Sequence, residues 1–253
     1  MRLDLYLVKE KLAVSRTQAQ DFIASGFVYR TKDEKQVQMS KASHEVNEGE
    51  QITVVANKLQ KYVSRGGLKL EAALEKLKLD VSGKIILDIG QSTGGFTDCL
   101  LQRGAEKVFG IDVGHSQLHE SLKKDTRVTY FENLNVKDLS VNTNFIRALP
   151  DKQFDFIVID VSFISLAKII PSIANFLGEG GQYLALVKPQ FECGKDKLDK
   201  NGIVTDSNIF ETVEIEIKKM AEQYFKNVSA YFECEILGKD GNQEFFIYGK
   251  KSM

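Results

Sequence analysis

From Lys84 onward, short and almost wholly apolar runs alternate with longer stretches in which apolar residues recur every three to four positions. The short runs predict buried strands and the longer spacing predicts amphipathic helices. KIILDIG (84–90) reads as a strand and STGGFTDCLLQRG (92–104) as a turn and helix. KVFGIDV (107–113) follows as a second strand, with a helix over 115–124. RVTYFE (127–132) is a third strand and FDFIVIDVSF (154–163) a fourth. A helix over SLAKIIPSIANFL (165–177) leads to a fifth strand, QYLALVKP (182–189), and then to a long helix over 207–224. Two β-rich runs flanking KDGN (239–242) close the chain, and that tetrapeptide is a hairpin turn signal. Alternating strands and helices imply an α/β fold with a doubly wound, mainly parallel sheet, to which the hairpin adds an antiparallel strand. Residues 189–204 are the longest irregular stretch and read as a mobile loop.

The first 55 residues follow another pattern. LDLYLVKEKL (3–12) predicts a helix, and SRTQAQDFIASG (15–26) a second one. Ser15 and Gln18 form a capping box, Ala19, Phe22 and Ile23 supply the apolar face, and Gly26 stands where a C-cap glycine belongs. FVYR (27–30), KQVQ (35–38) and QITVV (51–55) read as short strands. This is a small α+β unit over residues 1–59. A linker at 60–65 joins it to a body at 66–253.

Charge sharpens that division. Residues 1–70 hold 12 Lys+Arg against 8 Asp+Glu, the remainder 22 against 27, and the whole chain carries −1. A basic small unit on an acidic body points to an anionic partner for the former. No run of 18 apolar residues occurs, so no membrane span or membrane partner is expected. The N-terminus does not read as a signal peptide. Three widely spaced cysteines and three histidines show neither disulfide-framework nor metal-ligand spacing, which suits a reducing cytoplasm and a site without metal.

LDIGQSTGGF (87–96) is the strongest local signal. A buried strand reaches Asp88, and a turn with Gly90, Gly94 and Gly95 opens a helix. G-x-G-x-x-G is absent, because Ser92 and Thr93 stand in the way. The spacing D-x-G-x-S-x-G-G-F, ending at Phe96, resembles motif I of S-adenosylmethionine-dependent methyltransferases. Asp112 ends the second strand, where a carboxylate can accept ribose hydroxyls, and Asn135 follows the third, within reach of an adenine edge. Each feature alone also reads as a plain loop or a surface carboxylate. In register after three successive strands they read as a cofactor site.

Asp160 ends the fourth strand, Lys188 the fifth, and Glu244 starts the last. A doubly wound sheet brings all three to the edge that holds the cofactor, so Asp160 is a candidate for both tasks. Lysine is rarely buried unpaired, and a snorkelling Lys188 is the alternative.

SRGGLKL (64–70), DIGQSTGGF (88–96), IDVSFISL (159–166) and LVKPQFE (186–192) together resemble the TlyA family of hemolysins and rRNA cytidine-2′-O-methyltransferases. The resemblance covers nearly the whole chain. It implies an S4-type RNA-binding domain over residues 1–59 and an FtsJ/RrmJ-like, Rossmann-like methyltransferase domain over 66–253, with S-adenosyl-L-methionine as cofactor. It also implies a catalytic Lys–Asp–Lys–Glu tetrad, which maps to Lys69, Asp160, Lys188 and Glu244.

In that reading Lys188 orients or deprotonates a ribose 2′-hydroxyl, Asp160 holds Lys188, and Glu244 orients Lys69 or the ribose. The partner is ribosomal RNA or a ribosomal subunit, with the large-subunit 23S RNA expected from the chain's shortness. Arg2, Lys9, Lys11, Ser15, Arg16, Gln20 and Arg65 are the candidate RNA contacts, joined by Lys195, Lys197 and Lys200 of the loop. Arg65 reads equally as a domain-orienting residue, and Lys61 as a solvated linker charge. A non-catalytic ribosome assembly factor and a membrane-lytic hemolysin are the rival functions. The oligomeric state stays open, a monomer being compatible with the pattern.

Overall fold

The computed structural model describes residues 1–13, 15–24, 27–32, 35–39, 41–47, 49–54, 61–151, 153–225, 227–238 and 241–251. Gly26, part of the KDGN turn and the expected boundary near residue 59 lie outside the described residues.

Near the N-terminus, α1 (Leu3–Lys9) and α2 (Arg16–Ala24) precede β1 (Val28–Lys32), β2 (Lys35–Gln38) and β3 (Gln51–Val54). The strands pair antiparallel in the order β2-β1-β3. Ser15 Oγ accepts the Gln18 amide at 3.1 Å, the near half of the expected capping box. Leu3, Leu7, Ala19, Ile23 and Val28 form a separate core cluster.

α3 (Gly66–Lys76) leads into a seven-stranded sheet. Its strands are β4 (Ile85–Ile89), β5 (Lys107–Ile111), β6 (Val128–Phe131), β7 (Phe154–Ile159), β8 (Leu177–Val187), β9 (Asn227–Glu233) and β10 (Phe245–Lys250). The helices between them are α4 (Gly95–Gln102), α5 (Glu120–Lys123), α6 (Thr143–Ala148), α7 (Ile170–Ile173), α8 (Pro189–Glu192) and α9 (Ser207–Glu222). The sheet order is β6-β5-β4-β7-β8-β10-β9, with β4 to β8 parallel and β10 antiparallel to both neighbours.

Every residue of β4 is buried. Alternate residues serve opposite faces: Ile85, Leu87 and Ile89 belong to the core cluster that holds residues of α6, α7 and α9, and Ile86 to the one that holds residues of α3 and α4. Each such fully buried aliphatic side chain contributes roughly 1.5–3 kcal/mol. Strand order reverses between β4 and β7, so the carboxyl ends of these two strands open a crevice at the switch point. No helix among the described residues is long and apolar enough to cross a membrane.

Three expected elements differ. The helix over 115–124 shrinks to one turn, α5, because the Glu132 carboxylate accepts the amides of Ser116, Gln117 and Leu118. These amides are therefore held by a side chain, and Ser116 takes a positive φ of 54°. The helix over 165–177 is broken into a 3-10 turn at Leu166–Lys168, α7 with Pro171 in its first turn, and a second 3-10 turn at Ala174–Phe176. The 189–204 stretch contains α8 and a 3-10 turn at Lys195–Lys197. It is tied down by the Val204 amide donating to Asn242 Oδ1 at 3.1 Å.

Candidate active site

A cleft of about 650 Å³ opens at the carboxyl ends of β4, β7 and β8. Its walls come from the β4–α4 turn, the loop after β7, the start of α8, the residues before β10 and the start of α3. Gly90, Ser92, Thr93, Gly95 and Phe96 of the glycine-rich motif line it. Gly90 has φ 85°, and a Cβ there would stand 2.3 Å from the Asp160 carbonyl oxygen, so a side chain would close the switch point. At Gly95 a Cβ would stand 2.2 Å from Ser64 Oγ, which is how α3 approaches the turn so closely.

Asp88 and Gly94 do not line the cleft. Asp88 is fully buried behind the turn, where its Oδ2 accepts Thr97 Oγ1 at 2.7 Å. Thr97 Oγ1 in turn accepts Gln91 Nε2 at 2.8 Å. Burial pushes the Asp88 carboxyl up to about 7, with the charges of Asp160 and Asp112 adding to it and Thr97 opposing. Asp112 is likewise outside the lining, with Oδ2 accepting the Ser92 amide and Oδ1 the Gly114 amide, both at 2.7 Å. It braces the turn from outside, and a carboxylate keeps further lone pairs for a ribose. Asn135 is exposed and caps a 3-10 turn, accepting the Lys137 amide at 3.1 Å. The structure does not bring it to the cleft.

The four expected tetrad positions all reach the cleft, as two ion pairs. Lys69 Nζ lies 2.5 Å from Glu244 Oε2, with both side chains no more than 5% exposed. Lys188 Nζ lies 2.6 Å from Asp160 Oδ1 and donates to Ser162 Oγ at 3.0 Å. The topology explains the grouping. β7 and β8 are parallel neighbours, so Asp160 and Lys188 leave adjacent strands in the same direction. The antiparallel β10 enters the sheet at that same end, which delivers Glu244.

Several residues of the site were missed by sequence reasoning. Ser162 is the second partner of Lys188. Phe163 is 90% exposed at φ 65°, and its ring centroid lies 5.0 Å from that of Phe191; both line the cleft. Their only signal was an aromatic residue three positions after each charged strand end.

Of the expected RNA contacts, the structure gathers three around one acid. Asp4, fully buried, accepts Arg2 Nε and an Arg2 terminal nitrogen at 3.0 Å each, Arg16 Nε at 2.9 Å and Gln20 Nε2 at 2.9 Å. Arg2 and Arg16 are 40% and 54% exposed. Asp4 went unmarked, although an acid on the Leu3–Leu7 side of α1 was the available signal. Lys9 and Lys11 lie exposed beyond this cluster, and Arg65 lines the cleft at the start of α3. Lys61 is not simply solvated: it pairs with Glu71, to which Tyr62 Oη also donates at 3.0 Å.

The residues present fit S-adenosylmethionine. A cradle without side chains at Gly90 and Gly95, with the carboxylates of Asp160 and Glu244 in the same lining, suits a ligand that carries an ammonium and a sulfonium.

Comparisons with known proteins bear on the same region. The model of the FtsJ-like methyltransferase family matches residues 62–251. Hemolysin A of Brachyspira hyodysenteriae is 41% identical over 249 residues, spanning 98% of this chain and 99% of the relative. The 16S/23S rRNA (cytidine-2′-O)-methyltransferase TlyA of Mycobacterium tuberculosis (strain ATCC 25618 / H37Rv) is 36% identical over 247 residues, spanning 98% and 88%. A solved structure from Streptococcus thermophilus, described as a candidate hemolysin, is similar with a TM-score of 0.73 at 39% identity, over 100% of this chain and 88% of that one.

Proposed function

The chain belongs to the FtsJ-like methyltransferase family, and from that premise we propose that it methylates a cytidine 2′-hydroxyl in ribosomal RNA, using S-adenosylmethionine. The 23S molecule is the proposed substrate, as in the Campylobacter jejuni relative named a 23S rRNA (cytidine-2′-O)-methyltransferase, which is 35% identical over 188 residues. Residues 1–59 serve as the RNA-binding domain, 60–65 as linker and 66–253 as the catalytic domain. The reaction is placed in the cytoplasm, where ribosomes are.

One observation carries the reading: two lysine–carboxylate pairs converge on the cleft that the glycine-rich turn opens. S-adenosylmethionine, when bound, supplies an electrophilic sulfonium methyl group. A ribose 2′-hydroxyl is a weak acid and a poor nucleophile, so it must lose its proton as it attacks. Lys188 Nζ, steadied by Asp160 and Ser162, orients the hydroxyl oxygen, and the proton passes to the Asp160 carboxylate, because an ion-paired ammonium has no lone pair to take it. Lys69, fixed by Glu244, forms the adjoining wall and orients the ribose. Holding both reactants in line contributes up to about 7–11 kcal/mol. Phe163 and Phe191 offer a platform for a base turned out of the RNA, and such stacking is worth roughly 1–3 kcal/mol per base.

Mapping ribose methylation in ribosomal RNA tests the reading. Cells without the protein lack a 2′-O-methylcytidine that the wild-type chain restores. An identical map in both cell types overturns it.

A further inference from the structure

Lys188 is only as well placed as the loop that holds it. Both of its partners, Asp160 and Ser162, belong to the stretch between β7 and the 3-10 turn at Leu166–Lys168. Phe163 sits at the middle of that stretch with φ 65° and its ring in solvent. A bulky residue in the left-handed region is strained and persists only where its surroundings hold it. The loop must therefore be fixed at both ends.

One end is fixed by the sheet, where the Asp160 amide donates to the Ile89 carbonyl at 2.9 Å. At the other end the Leu166 amide donates to Glu192 Oε1 at 2.9 Å. Glu192 is half-buried. It closes the same helical turn that Lys188 opens: Lys188 caps α8, its carbonyl accepts the Phe191 amide at 2.8 Å, and Glu192 is the last residue of α8. One short helix therefore carries the ammonium, the aromatic partner of Phe163 and the carboxylate that fastens the facing loop.

We propose that Glu192 is a positioning residue for methyl transfer, which fastens the loop of Asp160, Ser162 and Phe163 to α8 and so keeps Lys188 aligned. It touches no reactant. Burial pushes its carboxyl up, with Ser165 and the Leu166 amide opposing. The role needs an acceptor oxygen rather than a charge. The proposal rests on the assigned role of Lys188 and deepens it.

Single-turnover methylation of ribosomal RNA by wild type, E192A, E192Q and K188A is the test, with cofactor affinity and melting temperature measured alongside. E192A is expected to lose about 10- to 100-fold in kcat, the scale of a small misplacement of reacting groups. Its cofactor affinity stays within about 2-fold of wild type, and E192Q, which keeps an acceptor for the Leu166 amide, recovers most of the rate. Wild-type kcat in E192A overturns the proposal, and so does an E192Q as slow as E192A. A purely structural role would lower the melting temperature and the active fraction without changing kcat per folded molecule, which also overturns it. A dead K188A beside a normal E192A removes this inference alone, whereas normal turnover in K188A removes the role of Lys188 with it. If E192A does not fold, E192D draws the acceptor back by one methylene: reduced kcat with intact cofactor binding supports the proposal, and wild-type kcat overturns it.

Discussion

Asp4 and Asp88 are both fully buried aspartates, yet the two regions treat them in opposite ways. In the N-terminal unit Asp4 meets two guanidiniums and an amide, and the hydrogen bond from Arg2 leads in holding its carboxyl well below the usual range against the cost of burial. Behind the glycine-rich turn Asp88 meets only a hydroxyl, and burial carries its carboxyl up to about 7. Neither carboxylate touches solvent, but Asp88 lies deep in the core and Asp4 directly beneath surface guanidiniums, so depth and partners together set the charge. The consequences run outward. Around Asp4 the anion is inside and the cations face solvent, so the unit presents guanidinium donors to an anionic surface. In the cleft the order inverts: the Lys188 side chain is 11% exposed and that of Asp160 24%, which shelters the ammonium.

If this division holds, variants in the two regions fail differently. K188A has the largest expected effect: turnover falls by about 10²–10⁴-fold, the usual span for loss of a group that serves the proton transfer, while affinity for cofactor and RNA stays close to wild type. Near-normal turnover would erase the contrast from the cleft side. R16A does the reverse. Arg16 is 54% exposed and gives Asp4 one hydrogen bond, so Arg2 continues to hold the acid in this variant. Loss of one phosphate contact should lower the slope of log affinity against log salt by about 1 and leave kcat unchanged. A reduced kcat at saturating RNA, with the salt slope intact, would show that the N-terminal unit does not act by binding.

The two regions were also unequally legible in the sequence. Strands β4, β5, β7 and β8 stood out because a strand covered on both faces must be apolar nearly throughout. The charged residues that interrupt or end those runs, Asp88, Asp160 and Lys188, were visible for the same reason. Lys69 was not: nothing on a helix start marks a partner 175 positions later, and only family resemblance picked it out. The 115–124 helix failed because Glu132, outside the window, takes the amides that a helix would have used. Asn135 follows a strand, as a residue toward the adenine would, and there it caps a 3-10 turn outside the cleft lining. Phe163 and Glu192 act through loop geometry, which has no period to detect. Asp4 was legible in principle as an acid on an apolar helix face, but its guanidinium partners, Arg2 and Arg16, were read as candidate RNA contacts.

The smallest predicted effect separates the two acids most directly. Asp4 has a folded-state value depressed below the unfolded one of about 3.9, so its stabilisation is present above that value and lost as pH falls below it. Asp88 has a raised value, so its stabilisation is fully present below about pH 4 and lost as pH rises toward 7. Hydrogen exchange reads the regions separately, since amides of α1 and α2 report on one and those of β4 and α4 on the other. Protection in α1 and α2 should weaken on acidification below pH 4, and protection in β4 and α4 should decline between pH 4 and 7. D88N should flatten the second trend and leave the first. D4N should weaken α1 and α2 already at neutral pH, because two guanidiniums lose their anion, and should remove the acid-dependent part. Parallel pH profiles in the two regions would mean that Asp4 and Asp88 titrate alike, and the inversion of charge between the N-terminal unit and the cleft would lose its physical basis.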